Sequence, residues 1–171
     1  MLMVVFGAGA SYDSWPSGTP DKLPRDKQVY RPPLAKELFL PYPEFRKISA
    51  KYPLCQTIIP YLESQENIEA ILERFRDEAG HDDQRRHQLV ATQFYIRDLI
   101  AACQGNWHQT TLGVTNYRTL VDQSRAFLHV CFVTFNYDTL LEDALSGLGY
   151  SSPPSIRTYQ RLPCLQAPRL N

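Results

Sequence analysis

The sequence predicts an α/β fold in which a parallel sheet is interrupted by a large helical insertion. Three observations predict it. Two short segments are apolar almost throughout, "LMVVF" at 2–6 and "HVCFVTF" at 129–135. Runs of this kind suit strands of a parallel sheet covered on both faces. Each run stops at residues able to do chemistry, Gly7, Ala8 and Gly9 after the first and Asn136, Tyr137 and Asp138 after the second. More than a hundred residues, including a long block with helical periodicity, separate the two runs, where parallel neighbours are normally joined by one crossover helix. The expectation is a Rossmann-like sheet, incomplete with two clear strands, in one domain spanning 1–171.

Residues 1–12 form the first strand and the glycine loop. Proline then divides the chain: nine of the 13 prolines fall from Pro16 to Pro60, none from Tyr61 to Ser152, and four from Pro153 to Pro168. Proline removes a backbone donor and breaks helix interiors. Residues 13–60 are therefore expected as loop and short helices, one of them over Leu34 to Leu40, and residues 61–128 as long helices. In "NIEAILERFRDEA", Ile68, Ile71, Leu72 and Phe75 follow the i, i+3, i+4, i+7 spacing of an amphipathic helix. In the segment beginning "DDQRRHQLV", Leu89, Ile96, Leu99, Ile100 and Cys103 are expected on one side of a long helix that Asp82 caps. A third helix is expected from Asn116 to Leu128. Residues 129–150 supply the second strand and a helix with Leu140, Leu141, Ala144 and Leu145 as its apolar face. Residues 151–171 read as an irregular tail, with a short strand at Ile156 to Tyr159.

Composition excludes several function classes. Lysine plus arginine and aspartate plus glutamate both number 18, so electrostatics gives no reason to expect nucleic acid or an anionic membrane as a partner. The apolar N-terminus is too short for a signal sequence or a span. Cys55, Cys103, Cys131 and Cys164 are widely spaced, without the close pairs of a structural zinc site, so no zinc or other metal is expected. Nothing suggests a disulfide framework, and a reducing cytoplasm fits. Cys131, inside an apolar run, reads as a buried free thiol.

A strand ending in Gly-x-Gly and opening into a helix suits an anion. Glycines let the backbone approach a pyrophosphate, and the helix start offers free N–H groups. On this stretch alone, an ordinary strand-to-loop turn explains the glycines as well. The dinucleotide fingerprint wants a third glycine where Tyr12 stands. That absence, with no acidic residue at a nearby second strand end, counts against a hydride-transferring Rossmann enzyme. At the second strand end, ligands of open α/β sheets sit at the carboxyl ends of strands, which puts Asn136 and Asp138 at the crevice. Asp138 also serves as a helix cap. Asn136 is harder to explain as packing, and its amide can hold a water or a sugar hydroxyl.

"GAGAS" (7–11) and "TFNYD" (134–138), in this order, resemble the sirtuin superfamily, in particular the prokaryotic SIR2-like NAD-hydrolysing domains of antiphage defence proteins. "RPPLAKELF" (31–39) is similar to the segment that follows the first loop there. The resemblance implies that Gly7, Ala8, Gly9 and Ser11 line the site for the NAD pyrophosphate and adjacent ribose. It implies that Asn136 orients a water or ribose hydroxyl, as the catalytic residue, and that Asp138 sits near the nicotinamide carboxamide. The reaction implied is cleavage of NAD to nicotinamide and ADP-ribose. NAD is the small-molecule partner, and a homo-oligomer, a sensor domain or a partner protein is left open. "SGTPD" (17–21) is only faintly similar to a sirtuin Gly-x-Pro-Asp element. Two departures matter. The cysteine spacing cannot supply the four-cysteine zinc module of the deacetylases, which favours the zinc-free branch. The family's catalytic His follows the Asn-x-Asp motif, whereas His81, His87, His108 and His129 all precede Asn136. His129 reads as a strand-end residue, His81 and His87 as solvated, and His108 as a loop residue. The expectation is a chain cut short before the catalytic His, or else a nucleotide-binding module without catalysis.

Overall fold

The computed structural model describes residues 2–14, 24, 27, 28, 31–64, 67–111 and 114–149, with 108–111 described by backbone alone. The "SGTPD" element, Cys164 and the strand expected at Ile156 to Tyr159 lie outside the described residues. The molecule is mixed α/β. Strands β1 (Leu2–Phe6) and β2 (Val130–Thr134) pair in parallel, with Leu2 opposite Val130 and Phe6 opposite Thr134. Leu2 N–H donates to His129 O at 2.9 Å and Phe135 N–H to Phe6 O at 3.1 Å, extending the ladder at both ends. Both strands thus run out at the same sheet edge.

Among the described residues, the sheet is covered on one face only. Phe6 is buried and Val4 packs beneath it on the helical side, but Met3 and Val5 are each 57% exposed. The run reads as doubly covered because its outward residues are themselves apolar, which hides the alternation of a one-sided sheet. Cys131 is half-buried rather than buried.

After β1 comes α1 (Ala8–Tyr12), just over one turn. The helix expected at Leu34 to Leu40 is only a 3-10 turn, Ala35–Glu37. Pro41 ends it: it has no N–H to bond back to Glu37 and disfavours helical backbone at Leu40. Next come α2 (Pro43–Ser49), a 3-10 segment over Pro53–Ile58, α3 (Ile59–Glu63) and α4 (Ile68–Glu78). Helix α5 (Asp83–Thr111) has 29 residues, about 43 Å at about 1.5 Å per residue. Asp82 Oδ1 accepts from Gln84 N–H at 2.8 Å and Arg85 N–H at 3.2 Å, the cap its position predicts. The helix runs on through Gly105, so His108 lies in a helix and not in a loop. Cys103 and Trp107, one turn apart and both buried, hold that stretch against the core. Helix α6 (Asn116–Ser124) stops short of Phe127 and Leu128, which are exposed, and α7 (Leu140–Gly147) follows β2.

Two cores result. The first joins α2, the Pro53–Ile58 segment, α4 and α5 around Phe45, Ile58, Ile71, Phe75 and Leu99. Leu89, Leu99 and Cys103 of α5 are buried there as expected, with Tyr95 and Thr92, while Ile96 and Ile100 are only half-buried. The second core packs Phe6 against Trp107, Tyr117, Val121, Leu140, Leu141 and Ala144. Helix α5 belongs to both.

Helix α4 starts at Asn67, whose Oδ1 accepts from Ala70 N–H at 2.7 Å. Asn67→Ala leaves that donor without its cap and is expected to cost about 1 kcal/mol, within a range of about 0.5–2. Thermal melts check this, with an expected fall in Tm of roughly 2–4 °C.

Candidate functional site

The common strand edge places the two motifs side by side. Gly7 precedes α1 in an extended conformation, φ −115° and ψ 178°, and Ala10 N–H donates to Gly7 O at 2.9 Å. Gly7, Ala8 and Gly9 are exposed. Neither the backbone nor the packing demands glycine here: φ at Gly7 suits any residue, and a Cβ built on Gly7 or Gly9 meets nothing within 4 Å. Past β2, Thr134 Oγ1 accepts from Asn136 N–H at 3.1 Å and so shapes the turn that carries Asn136.

The side chains of Ser11 and Asn136, 125 residues apart in sequence, meet at 2.7 Å, with Asn136 Nδ2 donating to Ser11 Oγ. Asn136 Nδ2 also donates to the hydroxyl of Tyr117 at 2.8 Å, and Ser11 Oγ lies 2.9 Å from that hydroxyl. Ser11 and Tyr117 are almost fully buried. Asn136 Oδ1 is buried and has no hydrogen-bond partner among the described residues. A buried acceptor without a donor costs about 1–3 kcal/mol, so such an atom needs an explanation. Asp138, 8% exposed, accepts from Leu140 N–H at 3.1 Å through Oδ1, so it serves the start of α7 as expected, across the turn formed by Thr139. Glu142, one turn further along α7, has a buried Oε2 with no partner among the described residues.

Burial governs the protonation of this cluster. It pushes the Tyr117 hydroxyl up to about 12, although its hydrogen bonds with Ser11 and Asn136 pull the other way. Burial likewise raises Asp138 above the usual carboxylate value, against hydrogen bonds from Ser11 and the Leu140 N–H, and it raises Glu142. A carboxyl whose folded pKa is raised keeps its proton to higher pH than in the unfolded chain. It contributes stability that is full below the unfolded pKa and is lost as the pH rises through the folded one. Asp138→Asn keeps an acceptor for the Leu140 N–H and carries no charge. It is expected to raise Tm at pH 7, the gain vanishing below about pH 4. Melts at the two pH values check this, and an Asn variant less stable than wild type at both would contradict it.

Sequence reasoning passed over two residues. Tyr117 reads as part of the apolar face of α6, since Tyr117 and Val121 are one turn apart and both buried. Arg31 opens the "RPPLAKELF" segment and is 4% exposed. Its guanidinium stacks 3.9 Å from the Tyr12 ring centre, donates to Tyr12 O, and pairs with Asp13 at 2.8 Å. It holds the end of α1. The proline-rich context gave no sign of either contact. His81 and His87 are exposed near the start of α5, and His129 is exposed at the opposite end of β2 from Asn136.

Among the described residues, no group of three or more His, Cys, Asp or Glu is arranged to hold a metal, and no helix is long and apolar enough to cross a membrane. Comparison with protein-family models, with curated proteins and with solved structures finds no match.

Proposed function

We propose that this chain is a Rossmann-like, SIR2-like NAD-binding domain of the kind that, when complete with the catalytic His, hydrolyses NAD to nicotinamide and ADP-ribose in antiviral defence in the cytoplasm. The observation that carries the reading is the junction of the two motifs: Ser11 of "GAGAS" and Asn136 of "TFNYD" in direct contact at the carboxyl edge of two parallel strands. Three further features support it. The exposed Gly7–Gly9 backbone has open space where side chains would stand, which suits close approach of a pyrophosphate. Asn136 Oδ1, without a partner among the described residues, suits a donor from the ligand, a ribose hydroxyl or the attacking water. The Asp138 carboxyl lies close by, and fixed negative charge and dipoles favour an oxocarbenium-like state as the nicotinamide departs.

A second reading, a binding or sensing module for NAD or ADP-ribose without catalysis, is favoured by one observation: none of the histidines with described side chains lies at the cluster. One pair of measurements separates the two. Nicotinamide release from NAD supports hydrolysis. Calorimetric binding of ADP-ribose without release supports the binding module. Neither binding nor release overturns both.

A further inference from the structure

We infer that Tyr117 is a positioning residue of this site, fixing which way the Asn136 carboxamide faces; the inference rests on reading the site as nucleotide-binding. Donors and acceptors decide it. Asn136 Nδ2 has two protons, and both are taken, one by Ser11 Oγ at 2.7 Å and one by the Tyr117 hydroxyl at 2.8 Å. The Tyr117 proton is then free for Ser11 Oγ, 2.9 Å away, and the Ser11 proton for Asp138. Every proton in this chain has an acceptor. Turning the amide over reverses this. The two hydroxyls would have to donate to Oδ1, Asp138 would lose the Ser11 proton, and both amide protons would be buried where Oδ1 has no partner among the described residues. The hydroxyl pair therefore selects the orientation that presents an acceptor to the ligand. A ligand matched to it brings a hydroxyl or water, not a phosphate oxygen, to this point.

Tyr117 is held firmly enough to act this way. Its ring packs against Phe6, with ring centres 5.0 Å apart and planes tilted by 51°. The residue before it ties α6 to the end of α1: Asn116 N–H donates to Ser14 O at 2.6 Å and Asn116 Nδ2 to Asp13 O at 2.9 Å. Trp107 Nε1 donates to Ser14 Oγ at 2.6 Å. The helical insertion thus contributes one wall of the site rather than merely spacing the strands.

Tyr117→Phe removes the hydroxyl and keeps the ring. ADP-ribose titrated calorimetrically is expected to bind about 5- to 10-fold more weakly to this variant, the loss of one hydrogen bond's worth of order. The readout that packing alone would not move is the Asn136 side-chain amide in NMR, assigned by its absence in Asn136→Ala. Both its protons are expected to be protected from exchange in the wild type and at least one to lose protection in Tyr117→Phe. Unprotected protons in the wild type overturn the inference without any variant. Unchanged protection, or unchanged ADP-ribose affinity, in Tyr117→Phe overturns it alone. A wild type that binds no ADP-ribose overturns the nucleotide reading and the inference with it.

Discussion

Asn136→Ala is expected to weaken ADP-ribose binding by about 10-fold, since Oδ1 offers the ligand one hydrogen bond and roughly 1.4 kcal/mol corresponds to tenfold. Any nicotinamide release should fall by about 100-fold or more, the scale seen when one placed dipole is removed from a reacting centre. The substitution deletes a buried acceptor that has no partner among the described residues, and it takes away the donor shared by Ser11 and Tyr117. Those two hydroxyls can still bond to each other at 2.9 Å, so the fold should lose less than the ligand does. Calorimetry alongside a thermal melt separates the effects. Affinity within a factor of two of wild type, with Tm intact, would remove Asn136 from the site and the nucleotide reading with it.

Phe75→Ala is expected to destabilise the chain by about 3–5 kcal/mol. That is a large share of the roughly 5–15 kcal/mol that holds a typical domain together. Phe75 has no exposed surface. Its ring meets Tyr61 edge-on at 5.6 Å and lies 4.7 Å beneath the Arg85 guanidinium. Truncation leaves a void facing Ile71 and Leu99 that stiff neighbouring helices cannot close. The expected fall in Tm is roughly 6–20 °C. Denaturant melts give the free energy directly, and a cost below about 1 kcal/mol would contradict the packing described. Because Phe75 belongs to the first core and Asn136 borders the second, the folded fraction should bind ADP-ribose as the wild type does.

Helix α4 and the start of α5 could be read in the sequence because their periodicity and caps are local: Ile68, Ile71 and Phe75 repeat on one face, and Asn67 and Asp82 precede the first turns. The two strands were legible for the same reason, while the openness of one sheet face was not, since Met3 and Val5 carry no polar mark. The run of α5 through Gly105 depends on Trp107 reaching the second core, a tertiary effect that outweighs the helix cost of glycine. At the site, Asn136 and Asp138 were visible as polar residues at a strand end, and Ser11 through the resemblance that "GAGAS" carries. Tyr117 was not, because a buried tyrosine at helical spacing is indistinguishable from a packing residue until its hydroxyl is seen against Asn136.

The 125-residue separation of Ser11 from Asn136 also bears on the order in which the molecule assembles. Closing so long a loop carries an entropic cost that grows only with the logarithm of its length, but its reward comes late, after distant segments meet. The intervening helices pack on one another across shorter separations, α4 and the Pro53–Ile58 segment on α5, and are expected to condense first, drawing the two strand segments together as they do. The polar cluster is then a product of the final docking step, and a chain arrested before that step would hold most of its helix while having no site at all.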